Sequence, residues 1–386
     1  MAFALVRCGG SSRSPGSGSS GSPSTDAGTP SGPVDAGPGT PDGGTGSTDA
    51  GSGNADAGSG PSDGGATTAT AYDVTDIEAV SGAFIVGGLN GVGQVVGKSL
   101  SGSLIYDSRS GTVTIIHPPG NVTPVSLNDR GEALFTEESL DANSPWWVRS
   151  FVQRDYVKTF LPGFGGRRMT AMHLGLNGEV VGHAEYPDLS DHAFLWTPGS
   201  STLRDLGTLG GRDSIATNVA ADGTIVGWST TGRDTSIGSA FVWHDGNMMA
   251  LLGVGGPSTA WWQSSSGAIV GEGSTIKDSK ADLQPLLWSG GEVRILGKLA
   301  GDSFGVALAV NASGDVVGYT DTTANNSNAH AVLWRGGGDP VRIDSLATLP
   351  QGVNLWHGVA INDRGQILAY GGRPQTAARY FLLTPR

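Results

Sequence analysis

Residues 71–386 predict an all-β fold, a seven-bladed β-propeller of four-stranded antiparallel blades, on three observations. A Gly-x-apolar-apolar-Gly pattern recurs seven times, an apolar run ending in tryptophan follows it in the best copies, and no stretch has helical periodicity. Four short strands per repeat of this length are the mark of a propeller. Near-continuous apolar runs fit as well, because each blade is covered on both faces by its neighbours.

The first pattern reads GQVVG (93–97), GEVVG (178–182), GTIVG (223–227), GAIVG (267–271) and GDVVG (314–318), with weaker copies GEALF (131–135) and GQILA (365–369). The leading glycines, Gly93, Gly131, Gly178, Gly223, Gly267, Gly314 and Gly365, stand 38 to 51 residues apart. Turn formers precede most of them, as in Asn128-Asp129-Arg130-Gly131 and Asn362-Asp363-Arg364-Gly365. Asn and Asp tolerate left-handed backbone and Gly prefers it, so each is read as a hairpin turn feeding a strand. An apolar residue stands just before the turn in six copies (Leu89, Leu127, Leu174, Val219, Val310, Ile361), and Gln263 is the exception.

The second run is HAFLW (192–196), SAFVW (239–243), QPLLW (284–288) and HAVLW (330–334), with divergent versions at 103–107, 150–154 and 379–383. A turn follows, then a third run: LRDLGTLGG (203–211), MMALLGVGG (248–256), VRILGKLAG (293–301) and VRIDSLATLP (341–350). The last copy stops at FLLTPR without its fourth strand, while YDVTDIEA (72–79) is an alternating segment with no copy of its own. The expectation is that this N-terminal strand completes the last blade and clasps the ring. The alternative is an open ring, or a six-bladed one with copies one and two fused.

One copy imitates a phosphate-binding loop, GVGQVVGKS (91–99). That loop needs four residues between its glycines and a helix after it. Gly93 and Gly97 enclose three, Gly91 and Gly97 enclose five, and Lys98 aligns with His183, Trp228, Glu272 and Tyr319 of other copies. Lys98 therefore reads as a variable repeat position, and nucleotide binding is not expected.

Residues 1–70 differ in kind: Gly, Ser, Pro, Thr, Ala and Asp dominate, with Phe3 the only aromatic. Such a composition cannot offset the entropy of ordering, so a disordered linker is expected. Asp26, Asp35, Asp42, Asp49, Asp56 and Asp63 space it with single charges, as in a soluble tether. Net charge is −12, and six Asp against Arg7 and Arg13 in the linker leave about −8 for the rest. An acidic chain without a Lys/Arg cluster is not expected to bind nucleic acid. Cys8 is the only cysteine, so neither an intrachain disulfide nor a zinc cluster can form.

Leu5-Val6-Arg7-Cys8 followed by Gly and Ser resembles the end of a bacterial lipoprotein signal, in which the cysteine becomes the lipidated first residue. Arg7 stands where that pattern has a small residue, and AFALV is short for a signal core, so the given start is read as lying inside a longer signal. Residues 192–229, HAFLWTPGSSTLRDLGTLGGRDSIATNVAADGTIVGWS, resemble the bacterial extracellular HAF repeat, with His192-Ala193-Phe194 matching fully. The likeness is strong over about 170–370 and weak over 71–165. It implies a secreted or surface propeller-like protein, and carries over no activity, cofactor or catalytic residue. Together these readings place the chain outside the cell or at the envelope surface, lipid-anchored through Cys8.

The tryptophans Trp196, Trp243, Trp288 and Trp334 recur at strand ends and read as packing between blades. Two Trp-Trp pairs are not called for by the repeat. Trp146 and Trp147 lie in an insert before the second copy's third strand, and Trp261 and Trp262 replace Thr217 and Asn218 of the neighbouring copy. An exposed member of either pair would offer a stacking platform to a sugar ring or an anchor to a protein. Carboxylate spacing for calcium, histidine pairs at metal spacing and a Gly-x-Ser-x-Gly elbow are all missing from the sequence, so no catalytic residue, metal or cofactor is assigned. The expected function is a monomeric, non-catalytic binding or scaffold module for a glycan or protein. The alternative is a secreted hydrolase or lyase on the same scaffold.

Overall fold

The computed structural model describes residues 71–386 apart from 142, 233–237, 278–279 and 324–327; residues 1–70, with Cys8 and the aspartate series, lie outside the described residues. The described chain forms seven four-stranded antiparallel sheets. Blades one to six run through residues 85–117, 122–160, 169–205, 214–250, 258–295 and 304–342. Blade seven takes three strands from residues 354–385 and its outermost strand, Tyr72–Asp76, from the other end of the domain. Tyr72 faces Pro385 and Asp76 faces Phe381, so the two termini share one sheet and the ring closes as expected.

The clasping segment is shorter than 72–79 suggested. After Asp76 the chain turns into a one-turn helix, Ile77–Ser81, because the Asp76 carboxylate accepts the Ala79 amide at 3.1 Å. Gly82, at φ 69°, ends the turn by donating to the Glu78 carbonyl. The third runs are shortened too. Of LRDLGTLGG only Arg204–Asp205 pairs, since Gly207 at φ 78° bends the chain away while Leu206 enters the core.

Both glycines of the recurring motif have a physical cause. The leading one sits at positive φ in every copy, between 74° at Gly365 and 91° at Gly178, and closes a hairpin turn. A bulge recurs in each inner strand, with Gly87, Val125, Met172, Thr217, Trp261, Leu308 and Val359 as extra residues. In blades three to six a backbone carbonyl of that strand also crowds the second glycine, whereas blades two and seven carry Phe135 and Ala369 there. A Cβ at Gly182, Gly227, Gly271 or Gly318 would collide with the carbonyl oxygen of Thr170, Ile215, Thr259 or Val306. Lys98 lies within the strand Gln94–Ser99, opposite Ser103, and the chain goes on into a hairpin rather than a helix.

The core is a set of blade-to-blade interfaces. Val181 and Ala193 of blade three pack with Ile225, Phe241 and Trp243 of blade four, and Val270 and Leu287 of blade five pack with Val316, Val332 and Trp334 of blade six. The four repeat tryptophans are all buried, as expected of packing residues. Two also reach the preceding blade: Trp288 Nε1 donates to the Leu252 carbonyl and Trp334 Nε1 to that of Gly297, each at 2.7 Å.

Turn asparagines extend the stitching around the axis. Asn311 Nδ2 donates to the Asn362 carbonyl, Asn362 to that of Asn90 at 3.0 Å, Asn90 to that of Asn128 at 3.2 Å, and Asn128 to that of Gly175 at 3.1 Å. The same side chains hold their own turns, as when Asn362 Oδ1 accepts the amides of Arg364 and Gln366. One residue type thus shapes the hairpin and joins blades six, seven, one, two and three.

Candidate functional site: an axial cavity and an aromatic edge

Where the inner hairpins converge on the axis, a cavity of about 180 Å³ opens among residues of all seven blades. Its collar is the ring foreseen as apolar, Leu89, Leu127, Leu174, Val219, Val310 and Ile361, interrupted by Gln263. One residue further back, blades one, two, six and seven carry Gly88, Ser126, Ala309 and Ala360, whereas blades three, four and five carry His173, Asn218 and Trp262. The cavity is therefore lopsided although the scaffold is not.

On this side, where the turn asparagines are missing, His173 and Asn218 do the stitching. The Val219 amide and Asn218 Nδ2 approach His173 Nδ1 at 3.4 Å, and Asn218 Oδ1 accepts the Gln263 amide at 3.2 Å. Trp262 meets the His173 ring edge-on, with centroids 4.8 Å apart. His173 lines the cavity and is half-buried among protein groups, and this desolvation holds its imidazole down at about 4. With Nδ1 accepting, Nε2 carries the proton of the neutral ring. Gln263 is 8% exposed, and its Oε1 has no hydrogen-bond partner.

A pH prediction follows from His173. The unfolded imidazole titrates near 6.5 and the folded one near 4, so its stabilising contribution is complete above about 6.5 and is lost as pH falls toward 4. A shift of this size is worth roughly 3 kcal/mol. His173→Asn is therefore expected to flatten the fall in urea stability between pH 7 and pH 4.5; a slope equal to that of the parent would show that His173 is not held neutral. His357, likewise held at about 4 by burial, leaves a residual slope in the variant.

The two tryptophan pairs part company. Neither Trp261 nor Trp262 is exposed: Trp261 fills the blade-five bulge with a buried indole N–H lacking a partner, and Trp262 borders the cavity. Trp146 is half-buried, with the Arg149 guanidinium 3.9 Å from its ring and 4.0 Å from that of Phe160. Arg149 is paired with Glu137 at 2.7 Å. Trp147 is 43% exposed, and the Arg167 guanidinium lies 4.5 Å from its ring. The Arg167 amide donates to Glu185, and just beyond Glu185, Tyr186 stacks on Phe164 at 4.7 Å. The insert and the blade two-to-three connection thus meet where Trp147 packs on Arg167, and the Trp147 amide donates to the Arg167 carbonyl at 2.7 Å.

Sequence reasoning marked Trp147 and Trp262 but missed His173, Asn218, Arg149 and Arg167. The break in the collar at Gln263 was the one available signal for the cavity. Among the described residues, no three His, Cys, Asp or Glu side chains are grouped to hold a metal ion, and no helix is long and apolar enough to cross a membrane.

No family model and no curated protein matches the chain. Solved structures do. The β-propeller domain of the Trilobed protease from Pyrococcus furiosus, described as having an open velcro topology, aligns with a TM-score of 0.52 at 10% identity over 78% of this chain and 94% of that one. A puromycin hydrolase variant complexed with PGG aligns at 0.52 and 15% identity over 82% of this chain and 55% of that one. Pyrococcus horikoshii acylaminoacyl peptidase gives 0.46 and 13% identity over 75% and 51%. The chain spans about half the length of these last two proteins. At such identities the two likenesses at 0.52 are ones of architecture, and with the seven sheets described above they show a β-propeller fold for this chain.

Proposed function

We propose that this protein is a non-catalytic binding module at the cell surface, which engages a glycan or a protein through the aromatic edge at blades two and three. The observation that carries this reading is the exposed Trp147 indole, held against the Arg167 guanidinium. Stacking indoles and neighbouring guanidinium donors suit sugar rings and protein hot spots alike. The resemblance of residues 192–229 to the HAF repeat and of the segment around Cys8 to a lipoprotein signal supports the surface location.

Glycan arrays and pull-downs with envelope extracts test the reading. Trp147→Ala is expected to weaken any ligand found by about tenfold or more, while changing stability by less than about 1 kcal/mol, because the side chain is exposed. Blank arrays together with no captured partner would count against it. Release of reducing ends or peptides from such ligands would replace it with the hydrolase or lyase alternative.

A further inference from the structure

We propose that Tyr156 guards the outer strand of blade one, Thr112–His117, against antiparallel pairing with the same strand of a second copy of this chain. An outermost strand has one side without a partner strand, and its free amides and carbonyls are a template for another chain. Folds blunt such edges with charge, proline or shortness. Most edges of this ring are blunted so. The outer strand is cut to two residues in blade three, Arg204–Asp205, and to three in blade six, where it opens on Pro340. Lys158 stands in that of blade two, Glu292 and Arg294 in that of blade five, and Asp73 and Asp76 in that of blade seven. Blade four has four uncharged residues, Asn247–Ala250. Blade one has six, reads TVTIIH without Lys, Arg, Asp, Glu or Pro, and exposes Val113 and Ile115. Such β-branched residues favour strand pairing, and two copies laid edge to edge here meet no like charge.

This is the edge that blade two covers. The Tyr156 hydroxyl donates to the Ile115 carbonyl at 3.0 Å, and Gln153 Nε2 donates to that of Ile116. Burial does not account for the tyrosine, which is 72% exposed. Nor does the turn it stands in. The outer hairpins of blades two, four and five each turn through two residues at positive φ: Asp155-Tyr156 at 49° and 66°, Asp245-Gly246 at 48° and 92°, and Gly290-Gly291 at 61° and 83°. Blades four and five place Gly at the second position, which takes this backbone freely. Blade two holds a bulky side chain there against its own steric preference. What the tyrosine has in return for that strain is its bond to the edge of blade one.

Sedimentation of the full chain at rising concentration tests the proposal. The parent is expected to stay a monomer. Tyr156→Gly is expected to keep or raise the urea midpoint, because the turn relaxes, and yet to double its mass as concentration rises. Tyr156→Asn, which also tolerates left-handed backbone, serves as the second variant should glycine loosen the hairpin. Thr114 is exposed in the middle of the strand, and adding Thr114→Lys to either variant is expected to restore the monomer by setting like charges across the pair. A parent that is itself dimeric, monomers in both Tyr156 variants, or association that survives Thr114→Lys would overturn the proposal.

Discussion

A chain that begins at Ile77, without the strand Tyr72–Asp76, is expected to lose roughly 4–8 kcal/mol, much of the 5–15 typical of a folded domain, and to aggregate. The deletion removes an entire edge strand and the Tyr72 side chain, which is buried in the blade-seven core with Phe381 and Leu383. The exposed ion pairs Asp76–Arg379 and Asp73–Arg386 add little to that sum. Stripped of its partner, the strand Arg379–Pro385 becomes an open edge, which invites pairing between molecules. Urea melts and sedimentation of the truncated and full chains measure the effect. An unchanged urea midpoint, with a monomer in the centrifuge, would mean that the ring is held by the Asn362–Asn90 link and blade packing alone.

Trp334→Ala is the largest single substitution expected, at about 3–5 kcal/mol. The side chain is fully buried between blades five and six, and its indole N–H holds the Gly297 carbonyl of the preceding blade. Truncation opens a cavity and strands that carbonyl, and both effects act at one seam. Trp334→Phe should recover part of the packing but not the hydrogen bond, so its loss should fall between those of the parent and the alanine variant. A loss below about 1 kcal/mol in the alanine variant would mean that the seams are not the source of stability.

The repeat was legible in the chain because its causes are local. A glycine at positive φ, an asparagine folding its own turn and a tryptophan closing a strand recur within one blade length, so spacing alone revealed them. The clasp was legible by counting, since the last copy lacked a strand and the first segment had one to spare. The boundary at Asp76 was missed because its carboxylate serves equally well in a strand or as a helix cap, and only the turn to Gly82 decides between them.

The axial cavity belongs to the other category. His173, Asn218 and Trp262 stand about one repeat apart in the chain, each unremarkable beside its own neighbours, and only closure of the circle sets them side by side. The same holds for Trp147 and Arg167, whose contact depends on blades two and three being adjacent. What the amino-acid order determined unaided is the blade, its turns and how many times it recurs, because hydrogen bonds and steric limits within some forty residues suffice for that. What tertiary structure alone decided is which odd residues share the axis and which tryptophan faces water, because those depend on where distant copies come to rest.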